Sequence, residues 1–167
     1  MERLWAPWRM PYIEQGEKTE GCLFCAVSAA ESPEDLARNF VLFKGKTAFI
    51  MLNAYPYNPG HLMIAPYKHT ADMYDLEDEE LLELSHLIRY SLRLLTESMH
   101  PEGFNVGVNL GRTAGAGIAD HVHWHIVPRW DGDTNFMPVI AGTKVLPESL
   151  QATYDKLRKK IEELGAP

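Results

Sequence analysis

The chain has 167 residues, 46% of them hydrophobic and 23% charged, which suits one soluble domain that buries a core without staples. Its formal net charge of -7 excludes indiscriminate nucleic-acid binding, which needs a basic surface, while leaving room for a local phosphate pocket. Two cysteines are too few for a secreted disulfide scaffold, no apolar run approaches the ~18–20 residues that span a bilayer, and Met1 to Arg9 holds no signal-peptide core, so a cytosolic protein with no membrane partner is expected.

Residues 1–20, with Trp5, Trp8, two prolines and several charges, read as an irregular arm that wraps the domain or a partner. Cys22 to Ser28 is expected to form a short helical turn. Residues 39–44 and 47–53 are β-rich runs joined by Lys44-Gly45-Lys46, a hairpin turn. A loop dense in turn residues, Ala54 to Gly60, leads into an apolar strand from His61 to Pro66. Residues 77–99 form the main helix: Leu81, Leu84, Ile88, Leu92 and Leu95 recur at spacings of three and four, and Glu77 to Glu80 suit the positive end of its dipole. Pro101 and Gly103 mark its end. Strands at about 103–110 and 121–128 flank a glycine-rich loop, and a second, charged helix runs from about Pro147 to Leu164. The short connections favour an α+β layout, an antiparallel sheet of about five strands carrying the two helices, as a single domain over 1–167.

The stretch His121-Val122-His123-Trp124-His125-Ile126-Val127-Pro128-Arg129-Trp130 carries the chemistry. Three of the seven histidines fall in five residues and alternate with apolar ones. On a strand, alternate side chains share a face, about 6.5–7 Å apart. Imidazole is a nucleophile, proton carrier or metal ligand near neutral pH, and a central His123 has help on both sides. Arg129, at the strand end, is a candidate phosphate contact or a surface residue.

The preceding loop, Asn109 to Asp120, contains Gly111, Gly115 and Gly117; closely spaced glycines let backbone amides approach an anion. Asn109 offers an amide donor, and Asn105 is expected to be structural. Asn53, at a strand end, caps a turn or binds a ligand hydroxyl. Cys22-Leu23-Phe24-Cys25 has metal-knuckle spacing, and a closed tetrahedral zinc site would need histidines to complete it. Other signals fail. Gly45-Lys46-Thr47 lacks the upstream glycine of a P-loop, because position 40 is Phe40. There is no Gly-x-Ser-x-Gly and no His-Glu-x-x-His. His86 lies inside the main helix and His100 at its cation-favouring end.

These residues resemble the histidine-triad (HIT) family. His121-Val122-His123-Trp124-His125-Ile126-Val127 matches its signature, Asn53 through His61 its Asn and Pro-Gly-His segment, and the likeness runs from about Cys22 to Trp130. Trp5-Ala6-Pro7-Trp8-Arg9, Asn109-Leu110-Gly111 and Pro128-Arg129-Trp130 through Asn135-Phe136 are similar to a bacterial branch of diadenosine tetraphosphate phosphorylases and related hydrolases. The resemblance implies a HIT-like fold, an adenine nucleotide or dinucleoside polyphosphate substrate and a homodimer. It makes His123 the nucleophile on the α-phosphorus and places His125 at the phosphates or leaving group. Asn53 falls at the ribose, Asn109 at phosphate, and the Gly117 amide at the α-phosphate. It also implies a zinc site of Cys22, Cys25, His69 and His121. Many members carry Gln, Ser or Thr just before the triad; here Gly115-Ala116-Gly117-Ile118 leaves only backbone amides to help the leaving group. Two rival readings remain: a metallohydrolase in which His121 and His123 share a catalytic metal, and a nucleotide-binding module without turnover.

Overall fold

The computed structural model describes residues 21–135, Met137, Ile140 and 145–167. The expected arm, with Trp5 and Trp8, and Phe136 lie outside them. Within them the order is α1 (Leu23–Ser28), α2 (Pro33–Arg38), β1 (Val41–Lys44), β2 (Ala48–Leu52), β3 (Leu62–Pro66), α3 (Asp78–Met99), β4 (Gly103–Val108), β5 (Trp124–Arg129) and α4 (Leu150–Leu164). The five strands form one antiparallel sheet in the order β1-β2-β3-β5-β4. The α+β architecture is thus as read from the chain. No helix of the described residues is long and apolar enough to cross a membrane.

Alternation along the strands divides the side chains between two faces. Ile50, Leu52, Leu62, Ile64, Trp124 and Ile126 bury against α3 and α4. On the opposite face Phe49, Met51, Met63 and Ala65 meet Phe24 and Val27 of α1. β2 and β3 are therefore buried on both sides. That second cover draws on β1 to β3, so the face of β5 and β4 beyond it carries polar groups: His125, Arg129 and Asn105.

α3 starts with a reciprocal capping box between Glu77 and Glu80 and ends at His100, in the left-handed region with φ 50°. Its buried line is Leu84, Leu87, Ser91, Leu94 and Leu95; of the expected stripe, Leu81, Ile88 and Leu92 are only partly buried. The line is displaced because α3 packs on α4 as well as on the sheet. α4 is capped by Ser149 and clipped to β1, where Tyr154 Oη donates to the Val41 carbonyl at 3.2 Å and Arg158 Nη1 to Leu42 at 2.9 Å.

One element is added to the sequence reading and one is corrected. The sequence reading names no element between Ser28 and Asn39; Ser32, Pro33 at N1 and the acids Glu34 and Asp35 start the short helix α2 there. The histidine strand begins at Trp124 rather than at residue 121. Before it, the Val122 amide donates to the Thr70 carbonyl at 2.7 Å, which draws His121 and His123 off the sheet ladder.

Candidate active site and metal centre

Each histidine of the stretch has one ring nitrogen committed to a different partner. His121 is fully buried, and its Nε2 lies 2.9 Å from the Pro66 carbonyl. A carbonyl only accepts, so Nε2 carries the proton and Nδ1 the lone pair. Nδ1 faces the Cys22 sulfur at 3.2 Å and the Cys25 sulfur at 3.7 Å. His69 Nδ1 lies 3.4 Å from the Cys25 sulfur. The four ligand atoms fall within 4.8 Å of one another. A tetrahedral zinc with S and N ligands has S···N edges of about 3.5 Å. The three measured separations bracket that value, and the second nitrogen of His121 is anchored as a metal-bound imidazole's usually is. Burial and the adjoining Cys22 sulfur push the Cys25 thiol up, and burial pushes His121 down.

His123 is 3% exposed, and its Nδ1 donates to the His121 carbonyl at 2.8 Å. The neutral ring therefore presents its lone pair at Nε2. Burial, opposed by that hydrogen bond, holds His123 below the ordinary imidazole range, so the neutral form persists at neutral pH. Phe24 packs against both rings, 5.2 Å from His121 and 4.7 Å from His123 between centroids. The helix that carries the cysteine pair thus also walls in the central histidine.

His125 stands 4.9 Å from His123 between ring centroids, nearly edge-on. Its Nδ1 lies 2.9 Å from His61 Nε2. The Tyr57 amide points at His61 Nδ1 from 3.1 Å, and an amide only donates. His61 Nδ1 is therefore an acceptor, its Nε2–H donates to His125 Nδ1, and the neutral His125 keeps its proton on Nε2. His61 and Tyr57 had no assigned role in the sequence. His61 lies two residues before Met63, whose cross-strand partner is His125, and that register is what brings the two rings together.

The remaining candidates divide. Asn53 Oδ1 accepts from the Tyr55 amide at 2.9 Å, the turn-capping role, while its Nδ2 lies 3.4 Å from His61 Nδ1. Asn109 and His125 line one cavity. Gly117 is exposed in the bend before His121. Arg129 is not held ready for phosphate: its Nε and Nη2 reach Asp133 at 2.6 and 2.9 Å, and its Nη1 donates to Asn105 at 2.7 Å. Asn105 is structural in that sense, as expected. Asn58, 2% exposed, closes the network by donating to Asp133 at 2.7 Å and to the Pro128 carbonyl at 3.0 Å. Neither Asn58 nor Asp133 stood out in the sequence.

A HIT domain profile matches residues 35–132. The chain is 41% identical over 157 residues to an AP-4-A phosphorylase of Mycobacterium tuberculosis, covering 92% of this chain and 80% of that protein. It is 30% identical over 145 residues to an adenosine 5′-monophosphoramidase of Saccharomyces cerevisiae, covering 87% and 81%. Among solved structures, a zinc-bound histidine triad family protein from Mycobacterium smegmatis superposes with a TM-score of 0.68 at 24% identity, over 86% of this chain and 95% of that one. The Plasmodium falciparum diadenosine triphosphate hydrolase does so with a TM-score of 0.61 at 22% identity, over 75% and 78%.

Proposed function

The chain belongs to the HIT domain family, and from that premise we propose that it is a nucleotidyl transferase or hydrolase of dinucleoside polyphosphates. Phosphorolysis of diadenosine tetraphosphate to ADP and ATP is the leading reaction, hydrolysis its close alternative. The observation that carries this reading is the tautomer of His123, a buried neutral ring with its lone pair at Nε2 beside His125. The 41% identity to the mycobacterial phosphorylase supports the substrate class.

In this reading His123 Nε2 attacks the α-phosphorus and forms a P–N bond. The bridging P–O bond breaks, and its electron pair leaves on the oxygen of ATP. His125 offers its Nε2–H to the phosphates or departing oxygen. Phosphate or water then attacks the nucleotidyl-histidine; the P–N bond breaks, its electron pair returns to His123, and ADP or AMP is released. Asn53 binds ribose, Asn109 binds phosphate, and the Gly117 amide donates to the α-phosphate. With Gly115 to Ile118 in the loop, backbone amides do the work that a hydroxyl or amide side chain does in relatives.

Cys22, Cys25, His69 and His121 would hold a structural zinc that ties α1 to the end of β3 and the approach to β5. A homodimer belongs to the same reading, since β4 is a sheet edge and its Val106 is 45% exposed.

The test is incubation with diadenosine tetraphosphate, with and without phosphate. ADP and ATP formed only with phosphate establish the phosphorylase; AMP formed without it establishes the hydrolase; no product from either overturns the reading. His123→Ala is expected to abolish turnover while the protein stays folded, and activity surviving that change rules out the covalent step.

A further inference from the structure

A cavity of about 440 Å³ opens on the far side of His125, over β5 and β4. The cross-strand pairs Gly107 with His125 and Asn105 with Val127 put Asn105 and Gly107 on the same face as His125. Tyr57, Asn109 and Arg129 complete the wall used here. The volume falls in the range of small-molecule sites, roughly 300–1,000 Å³. His123 does not line it, so His125 stands between the nucleophile and this space.

Two features decide what fits. The first is direction. Attacking and leaving oxygens at phosphorus stand roughly in line, and the group that attends the leaving oxygen, His125, borders the cavity. The departing half of the substrate therefore points into it. The second is charge. The cavity's guanidinium and carboxylate, Arg129 and Asp133, are paired at 2.6 and 2.9 Å. Asp133 also accepts from Asn58 at 2.7 Å and from the Trp130 amide at 3.2 Å, so the network is fixed from several sides. A free phosphate entering here would meet a carboxylate beside an arginine whose fork is already engaged. The remaining wall offers the Tyr57 ring, the apolar Val127 and the Nδ2 of Asn105, whose Oδ1 already accepts from Arg129. An aromatic face and an apolar side chain beside an amide donor suit the ring of an uncharged heterocycle.

We propose that this cavity is the subsite for the second nucleoside of a dinucleoside polyphosphate, recognised through its uncharged base and sugar. The proposal rests on the reaction proposed above and adds a basis for preferring leaving groups that end in a nucleoside. The acceptor phosphate of the second step enters after that nucleoside has left, and it is not held by the Arg129 pair.

The experiment compares diadenosine tetraphosphate with adenosine 5′-tetraphosphate, which lacks only the second nucleoside. The wild-type kcat/KM is expected to be at least tenfold higher for the dinucleotide. Asn105→Tyr fills the cavity from an exposed position two residues along the strand from Gly107. It is expected to raise KM for the dinucleotide at least tenfold, with kcat within threefold. Gly107→Val is the second variant: a Cβ there meets nothing within 4 Å, so the fold accepts it, and the same rise in KM is expected. Wild-type enzyme that turns over the dinucleotide without preferring it overturns the subsite alone. Variants that lose kcat with KM unchanged, or lose neither, do the same. Wild-type enzyme inert towards the dinucleotide overturns the reaction and the subsite with it.

Discussion

Removing metal from the Cys22, Cys25, His69, His121 cluster separates a staple from a catalyst. The ligands come from α1, from the chain beyond β3 and from the approach to β5; Cys25 and His69 are 44 residues apart in sequence. A crosslink that closes a loop of that length lowers the entropy of the unfolded chain by about 4 kcal/mol at 25 °C. For a domain of this size each kcal/mol moves Tm by about 2–4 °C, so chelation is expected to lower Tm by roughly 8–16 °C. The assay is scanning calorimetry before and after chelator, with metal content measured on the same samples. Below the lowered Tm, the chelated protein is expected still to form the labelled nucleotidyl-histidine in a single turnover, because His123 is held by the backbone carbonyl of His121 and not by a metal-ligating side chain. Protein that carries about one zinc per chain and melts at the same temperature without it refutes the stapling argument. Folded, chelated protein that forms no adduct refutes the division between zinc and chemistry and restores the metallohydrolase reading.

Three further outcomes follow from the geometry. Asn58→Ala removes one bond to a carbonyl and one to a carboxylate from a buried position, a loss of about 3 kcal/mol that thermal unfolding should read as a Tm lower by roughly 6–12 °C. Asp133, bonded by Arg129 and further by the Trp130 amide and Asn58 against the opposing effect of burial, titrates well below the ordinary carboxylate range. Its stabilisation is complete above an unfolded pKa of about 3.9 and is lost as pH falls toward the folded value, so Tm of Asp133→Asn should fall less steeply than wild type between about pH 5 and 2.5; parallel curves would contradict this. Gly60 sits at φ +77°, and a Cβ there would lie 2.7 Å from Met99 Sδ and 3.1 Å from Leu95 Cδ2. Gly60→Ala is expected to cost at least about 1–2 kcal/mol in urea unfolding, from the left-handed backbone alone.

The sheet and the main helix were legible because their patterns are plain: continuous apolar runs between turn residues in β2 and β3, a three-four stripe in α3. The metal cluster was legible from Cys22 and Cys25 only as half a site, and family resemblance supplied His69 and His121. What stayed hidden depends on long-range register. His61 meets His125 only because β3 lies beside β5, and Asn58 meets Asp133 across 75 residues of chain. Nothing local marks either pair. α2 shows another limit: Ser32-Pro33-Glu34-Asp35 is a sound helix start, but six residues with none buried leave no stripe to find.

Alternation puts three histidines in sequence proximity, yet alternation alone would make them equivalent. Their differences come from the acceptor or donor that each ring meets. The Pro66 carbonyl leaves His121 with its lone pair on Nδ1, facing two sulfurs. The His121 carbonyl leaves His123 with its lone pair on Nε2. The His61 Nε2–H, itself set by the Tyr57 amide, leaves His125 with a proton on Nε2. In the proposed reading one ring thereby serves as a ligand, the next as a nucleophile and the third as a donor, without any of them being charged. This weighs against a metal shared by His121 and His123, because His121 directs its lone pair at the cysteine pair, and the site would have to break a backbone-held tautomer to turn it toward its neighbour. It also explains the break in the strand before Trp124. Leaving the ladder lets the His121 carbonyl turn to the His123 ring, and a regular strand, with that carbonyl bonded to β3 or β4, would have left the nucleophile's tautomer unspecified.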